Sequence, residues 1–167
     1  MSGWLSGKRA CIEGESRVIA AALETAGAVL VADADPDIWI HVAAPREMKL
    51  AHEIGFAAWR ASLEAGLDRR FLGARDFAAS CRSAGRGGAI LFVGKPEQAF
   101  GADQAAAAGA LGNLTKTLGV EWARDGIRVN AILTHHGGAT LGHLATYMVS
   151  DYAAYVTGAV VGIGLDD

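Results

Sequence analysis

Residues 103–132, DQAAAAGALGNLTKTLGVEWARDGIRVNAI, constrain the fold of this chain more than any other stretch. Leu111, Leu114, Leu118 and Trp122 recur at three- and four-residue intervals and so share one side of an α-helix. Ala105, Gly109, Gly112, Lys116, Gly119 and Ala123 fall on an adjacent side made mostly of small residues. Such a helix can lay its leucines on a sheet and let a second helix approach its small face closely. Asp103 stands where an N-cap is expected, Asp125-Gly126 reads as a stop and turn, and residues 127–132 return as a short apolar strand. The stretch is half of a βαβ unit and predicts an α/β fold on a parallel sheet.

The rest of the chain extends that pattern. Residues 8–12 read as a strand, residues 16–26 as a helix with Ile19, Ala22 and Leu23 inward, and residues 28–32 as a second strand. Asp33 and Asp35 precede Pro36, and the apolar segment 38–44 follows, with His41 inside it. Residues 56–82 carry Trp59, Leu63, Leu67, Phe71, Ala74, Ala78 and Cys81 at helical intervals. Gly66 interrupts this helix at a cost of about 1 kcal/mol relative to alanine, which suits a bend. The continuous apolar run 89–93 is that of a central parallel strand. A helix at 141–150 and a last strand at 155–163 complete the chain.

With 167 residues, 51% of them hydrophobic and 20% charged, one domain spanning residues 1–167 is expected. The net charge of −3 is dispersed and gives no reason to expect nucleic acid or an anionic membrane. The N-terminal residues lack the apolar core of a signal peptide, and no apolar run is long enough to cross a bilayer, so the expected location is the cytoplasm. Cys11 and Cys81 are expected as buried thiols rather than as a disulfide or metal pair. His135, His136 and His143 lack a cysteine or acidic residue to complete a metal site, and no metal is expected.

Leu114-Thr115-Lys116, Glu121-Trp122-Ala123 and residues 126–132, GIRVNAI, closely resemble the short-chain dehydrogenase/reductase family, as does the final Y-V-T-G-x-V. The resemblance implies a reduced Rossmann-like, doubly wound parallel sheet of about six strands. Their order in the family's numbering is 2-1-4-5-6-7, with the third strand missing, and helices cover both faces. The family's Thr-Gly-x-x-x-Gly-x-Gly phosphate turn falls on Glu13, Gly14, Val18 and Ala20, where only the first glycine survives. Val18 is expected to fill space the pyrophosphate needs, and Glu13 to add negative charge there. Asp33 or Asp35 could hold an adenosine ribose, though an aspartate-rich turn explains them equally. His41-Val42-Ala43-Ala44 stands for Asn-Asn-Ala-Gly. The family's Asn-Ser-Tyr-Lys set falls on Gly66, Lys95, Gln104 and Ala108, and the substrate lid is reduced to residues 134–138. In that chemistry the tyrosine is the general acid/base and the lysine lowers its pKa; glutamine cannot titrate and alanine carries no charge.

The resemblance therefore implies a non-catalytic chain that binds no cofactor itself. It would act as a structural or regulatory subunit beside a full-length dehydrogenase/reductase that carries NAD or NADP. Ala105, Gly109, Gly112, Lys116, Gly119, Tyr155 and Val160 are the expected interface, in a hetero-oligomer or else a homo-oligomer. Two alternatives stand beside this: an active oxidoreductase using a different set such as His41, Lys95 or His135, and a small-molecule binding module that reuses the vacant cleft.

Overall fold

The computed structural model of the chain describes residues 3–32, 35–44, 47–95, 101–135 and 137–164. Six strands form one sheet: β1 (Arg9–Glu13), β2 (Val29–Leu30), β3 (Ile38–Val42), β4 (Gly88–Gly94), β5 (Ile127–Thr134) and β6 (Val160–Ile163). All pairs are parallel and the order is β2-β1-β3-β4-β5-β6. This is the expected order with the third family strand absent. Ile38, Ile40, Leu91, Phe92, Val129 and Ile132 are fully or almost fully buried, because strands in the middle of such a sheet are covered on both faces.

Helices α1 (Arg17–Thr25) and α5 (Ala139–Val149) cover one face, where Ile19, Leu23, Ala145 and Met148 pack on Ile40 and Leu91. Helices α2 (Phe56–Leu63), α3 (Arg69–Ser83) and α4 (Ala102–Glu121) serve the other, where Ala74, Phe77, Leu111, Leu118 and Trp122 surround Ile90, Phe92 and Val129. Neither Cys11 nor Cys81 is in a disulfide; Cys81 is buried and Cys11 half-buried. Among the described residues no helix is long and apolar enough to cross a membrane.

Several elements depart from the periodic reading for physical reasons. β2 pairs over only two residues where five were expected, because no outer strand covers it and Val29 is 59% exposed. β6 begins at Val160 rather than 155. The preceding turn instead sends the Thr157 hydroxyl to accept from Val129 N (3.1 Å) and Gly158 N to donate to Val129 O (2.7 Å). Tyr155 is consequently fully exposed, and Val160 packs against the α3/α4 side of the core. The cap of α4 is Gly101, not Asp103; Asp103 lies in the first turn, buried, and accepts a hydrogen bond from Ser62 of α2. Gly119 does not belong to an open face, since a Cβ there would lie 2.5 Å from Gly158 N of the same chain. Gly112, by contrast, faces open space, Ala105 and Gly109 are half-buried and Lys116 is exposed.

The expected helix at 56–82 is three segments. Between α2 and α3, Glu64–Asp68 form a π turn, so the bend read from Gly66 is present. Beyond the turn Ala74, Ala78 and Cys81 are buried, as their spacing predicts. Phe71, placed inward by 3.6-residue counting, is 42% exposed, and Arg70 turns in at 3%.

Candidate functional site

The C-terminal ends of β1, β3 and β4 open on a cavity of about 230 Å³, the crevice in which open α/β sheets place ligands. Its lining includes Gly66, Lys95, Gln104 and Ala108 together, and also Glu13, Gly14 and His41. The residues read as standing at the four catalytic positions thus meet around one space. None of the four reproduces the family chemistry. Gly66 carries no side chain, and a Cβ added to it would come within 2.9 Å of the Ala107 methyl, so the close approach of the π turn to α4 depends on glycine here. The Gln104 side-chain amide donates to Glu47 O at 3.2 Å, which ties the loop after β3 to the start of α4. Ala108 is buried against the cavity wall, and Lys95 is exposed at the end of β4.

The floor of the cavity is held by a residue that periodicity did not single out. Arg70 Nε donates to His41 Nδ1 at 3.2 Å, Nη1 to Gly66 O at 3.0 Å and Nη2 to Val93 O at 3.0 Å. Among the described residues no carboxylate forms an ion pair with it. Burial pushes its pKa down to about 10, which leaves it a cation at neutral pH. Burial first, and then the Arg70 and Arg69 charges, push the His41 imidazole down to about 4. His41 is therefore neutral, and because Nδ1 accepts from Arg70 its proton sits on Nε2. The sequence signal that could have found Arg70 is its place four residues before Ala74, on the helix face that Ala74, Ala78 and Cys81 bury.

The nucleotide turn differs in its details from the expectation. Gly14 has φ +94°, and a Cβ there would meet Val42 O at 2.3 Å, so its survival is explained by contact between β1 and β3 alone. Val18 does not line the cavity. Its Cγ1 lies 3.2 Å from where a Cβ on Gly142 would stand, so it packs on α5. Ser16 caps α1 and its hydroxyl accepts from Ile19 N at 3.3 Å, taking up a donor that an anion at this helix end would use. Glu13 lines the cavity beside it. A self-capped helix, a carboxylate at the turn, and alanine at the ribose-holding lysine position do not fit a dinucleotide.

Of the two aspartates after β2, Asp33 lies outside the described residues. Asp35 accepts from Ser80 Oγ at 2.6 Å and from Arg86, and these partners hold its carboxyl below the usual range. It ties the loop after β2 to α3. His135 and His143 are exposed and His136 lies outside the described residues; among those described, no three His, Cys, Asp or Glu side chains are grouped as for a metal.

No protein-family model matches the chain, and no curated protein does. Solved structures match over nearly its whole length. A short-chain type dehydrogenase/reductase from Mycobacterium marinum superposes with a TM-score of 0.85 at 19% identity, covering 95% of this chain and 94% of that one. A protein described as an NAD(P)-dependent gluconate 5-dehydrogenase from Beutenbergia cavernae, with NADP bound at low occupancy, gives 0.86 at 20% identity over 96% and 97%. A protein described as a short-chain alcohol dehydrogenase from Sinorhizobium meliloti gives 0.83 at 23% identity over 95% of each. The chain has the short-chain dehydrogenase/reductase fold.

Proposed function

We propose that this chain is a non-catalytic subunit with the short-chain dehydrogenase/reductase fold, which binds no nicotinamide dinucleotide and supports a full-length, NAD(P)-dependent partner. The observation that carries this reading is the convergence of Gly66, Lys95, Gln104 and Ala108 on one cavity whose floor is filled by Arg70 and a neutral His41. The scaffold that aims a catalytic set remains, and the set itself does not. Hydride transfer needs the donor held against its acceptor, and nothing in this cleft supplies that hold.

The subunit role draws support from apolar groups left outside the core on α2–α4. Phe56 is 80% and Val120 77% exposed, Phe71 and Leu72 are over two-fifths exposed, and Gly112 leaves room for a neighbouring helix. The expected assembly uses this side of the molecule, with Tyr155 near a second contact. Titrating the purified chain with NADH and NADPH tests the first half of the proposal. Saturable binding tighter than about 100 μM, roughly −5.5 kcal/mol, overturns it. Sedimentation tests the second: the chain should form oligomers, alone or with a full-length dehydrogenase/reductase, and Gly112→Arg should separate them with the fold kept. A stable monomer that changes no partner's activity sinks the subunit role.

A further inference from the structure

Arg70 is a cation taken out of water, and among the described residues no anion meets it. Its three recorded hydrogen bonds go to two backbone carbonyls and a neutral imidazole, and it lines the cavity at the ends of β3 and β4. A buried charge is ordinarily paired, because desolvation removes the water that stabilised it and neutral acceptors return only part of that loss. An arginine in this position is most fully compensated when an anion occupies the cavity. The planar guanidinium presents five donors, three of which are used by its protein partners, and this fork matches a carboxylate.

The remaining walls narrow the class of anion. Val42, Ala43, Ala65, Ala107 and Ala108 give one side of methyl groups, which suits an apolar body on the ligand, while the exposed Arg69 and Lys95 add positive charge to the lining. The volume of about 230 Å³ is below the range for drug-sized ligands and suits a short acid. Glu13 at the rim disfavours a ligand with charge spread along its length. The His41 Nε2–H is left as a second, neutral donor.

We infer that the cavity is a binding site for a short monocarboxylate with an apolar tail, its carboxylate on Arg70 and its tail against Ala107 and Ala108. The inference rests on the reading that this cleft no longer holds a dinucleotide, and it adds a ligand to a cleft otherwise read as empty of function. Binding of such an acid to the folded state stabilises that state by mass action.

Calorimetric titration of the full chain with sodium butyrate tests the inference, run beside n-butyramide, inorganic phosphate and NADH. The expected result is saturable butyrate binding with Kd about 1 mM or tighter. Butyramide and phosphate should bind at least tenfold more weakly. Arg70→Met should weaken butyrate at least tenfold by removing the cation. Ala108→Leu should do the same by filling the cavity while leaving Arg70 in place, and it decides the matter if Arg70→Met does not fold. The inference is overturned by no saturable butyrate binding, by equal binding of butyramide, by phosphate binding as tightly as butyrate, or by butyrate binding unchanged in the folded variants. Saturable NADH binding removes the dinucleotide-free reading on its own; absent binding of both NADH and butyrate removes only the carboxylate site.

Discussion

Arg128 and Arg70 are both drawn away from solvent, and the two ends of the molecule hold them differently. Arg128, on β5, donates from Nη1 to Met148 O at 2.7 Å and from Nη2 to Ser150 O at 3.0 Å, capping the C-terminus of α5. There the cation faces the negative end of a helix dipole, with the Asp151 carboxylate nearby, so its charge is compensated within the chain. Two residues on, Asn130 donates from Nδ2 to Val156 O at 2.8 Å and accepts from Ala159 N at 3.0 Å, closing the turn that leads to β6. At the cleft, Arg70 meets neutral acceptors among the described residues. The G-I-R-V-N-A-I segment, where the resemblance to the family is closest, is an internal joint whose side chains serve α5 and β6. Of the positions that would serve a reaction, Gly66 lets the π turn approach α4 and Gln104 ties the loop after β3 to α4.

If β5 is the joint, breaking it should have the largest effect on stability. Asn130→Ala removes both hydrogen bonds to the 156–159 turn from a residue only 1% exposed and leaves Val156 O and Ala159 N without that partner. Val156 O keeps a longer hydrogen bond from Arg128 Nη1 at 3.5 Å, so the unmet Ala159 N and the lost Asn130 side chain set the cost, a loss of roughly 1–3 kcal/mol in urea denaturation. A loss under about 0.5 kcal/mol would show that the turn holds itself.

The cleft should answer instead to pH. His41 is held near 4, below the ordinary value of 6.5, so the unfolded chain takes up its proton first as the solution is acidified. Its contribution to stability is complete above about pH 6.5 and is lost as pH falls towards 4, a change of roughly 2–3 kcal/mol at most. Asp35, held below the usual carboxylate range by Ser80 and Arg86, loses its contribution only on further acidification. Denaturation midpoints at pH 7, 5.5 and 4 should fall across the first window, and His41→Asn should flatten that fall. An unchanged slope in the variant would place the titration elsewhere.

The same contrast separates what the sequence made legible from what it did not. Residues 103–132 announced the helix and strand because the leucine spacing and the turn at Asp125-Gly126 each required them, and the structure places α4 and β5 there. The convergence of Gly66, Lys95, Gln104 and Ala108 followed from the resemblance, and they line one cavity. Arg70 was not legible. Phe71, set inward by its spacing from Leu67, is exposed, while Arg70, one turn before the buried Ala74, lies inside. The packing partner of Val18 was not legible either: its position in a motif says nothing of the neighbouring helix, and α5 presents Gly142 to receive it. Gly119, read as part of an outer face, is glycine because Thr157 and Gly158 of the same chain occupy the space beside it.

The smallest effect expected is also the most direct trial of the cleft. The double variant Gln104→Tyr, Ala108→Lys restores the family's acid/base pair at two positions that already face one cavity a helical turn apart. It should fold, since Gln104 gives up only one exposed hydrogen bond to Glu47 O, and Ala108 stands at the wall of open space. It should show no dehydrogenase turnover above the unmutated chain. The new lysine would share the cavity with Arg70, and the like charge lowers the fraction of lysine that stays protonated to assist the tyrosine. Ser16 still caps α1 and Glu13 still lines the turn, so the hydride donor has no seat. A thermal melt matching that of the unmutated chain makes the absence of turnover meaningful. Measurable oxidation of NADH with a carbonyl substrate by the folded double variant would show that the cleft retains a working cofactor site and that only the pair was missing.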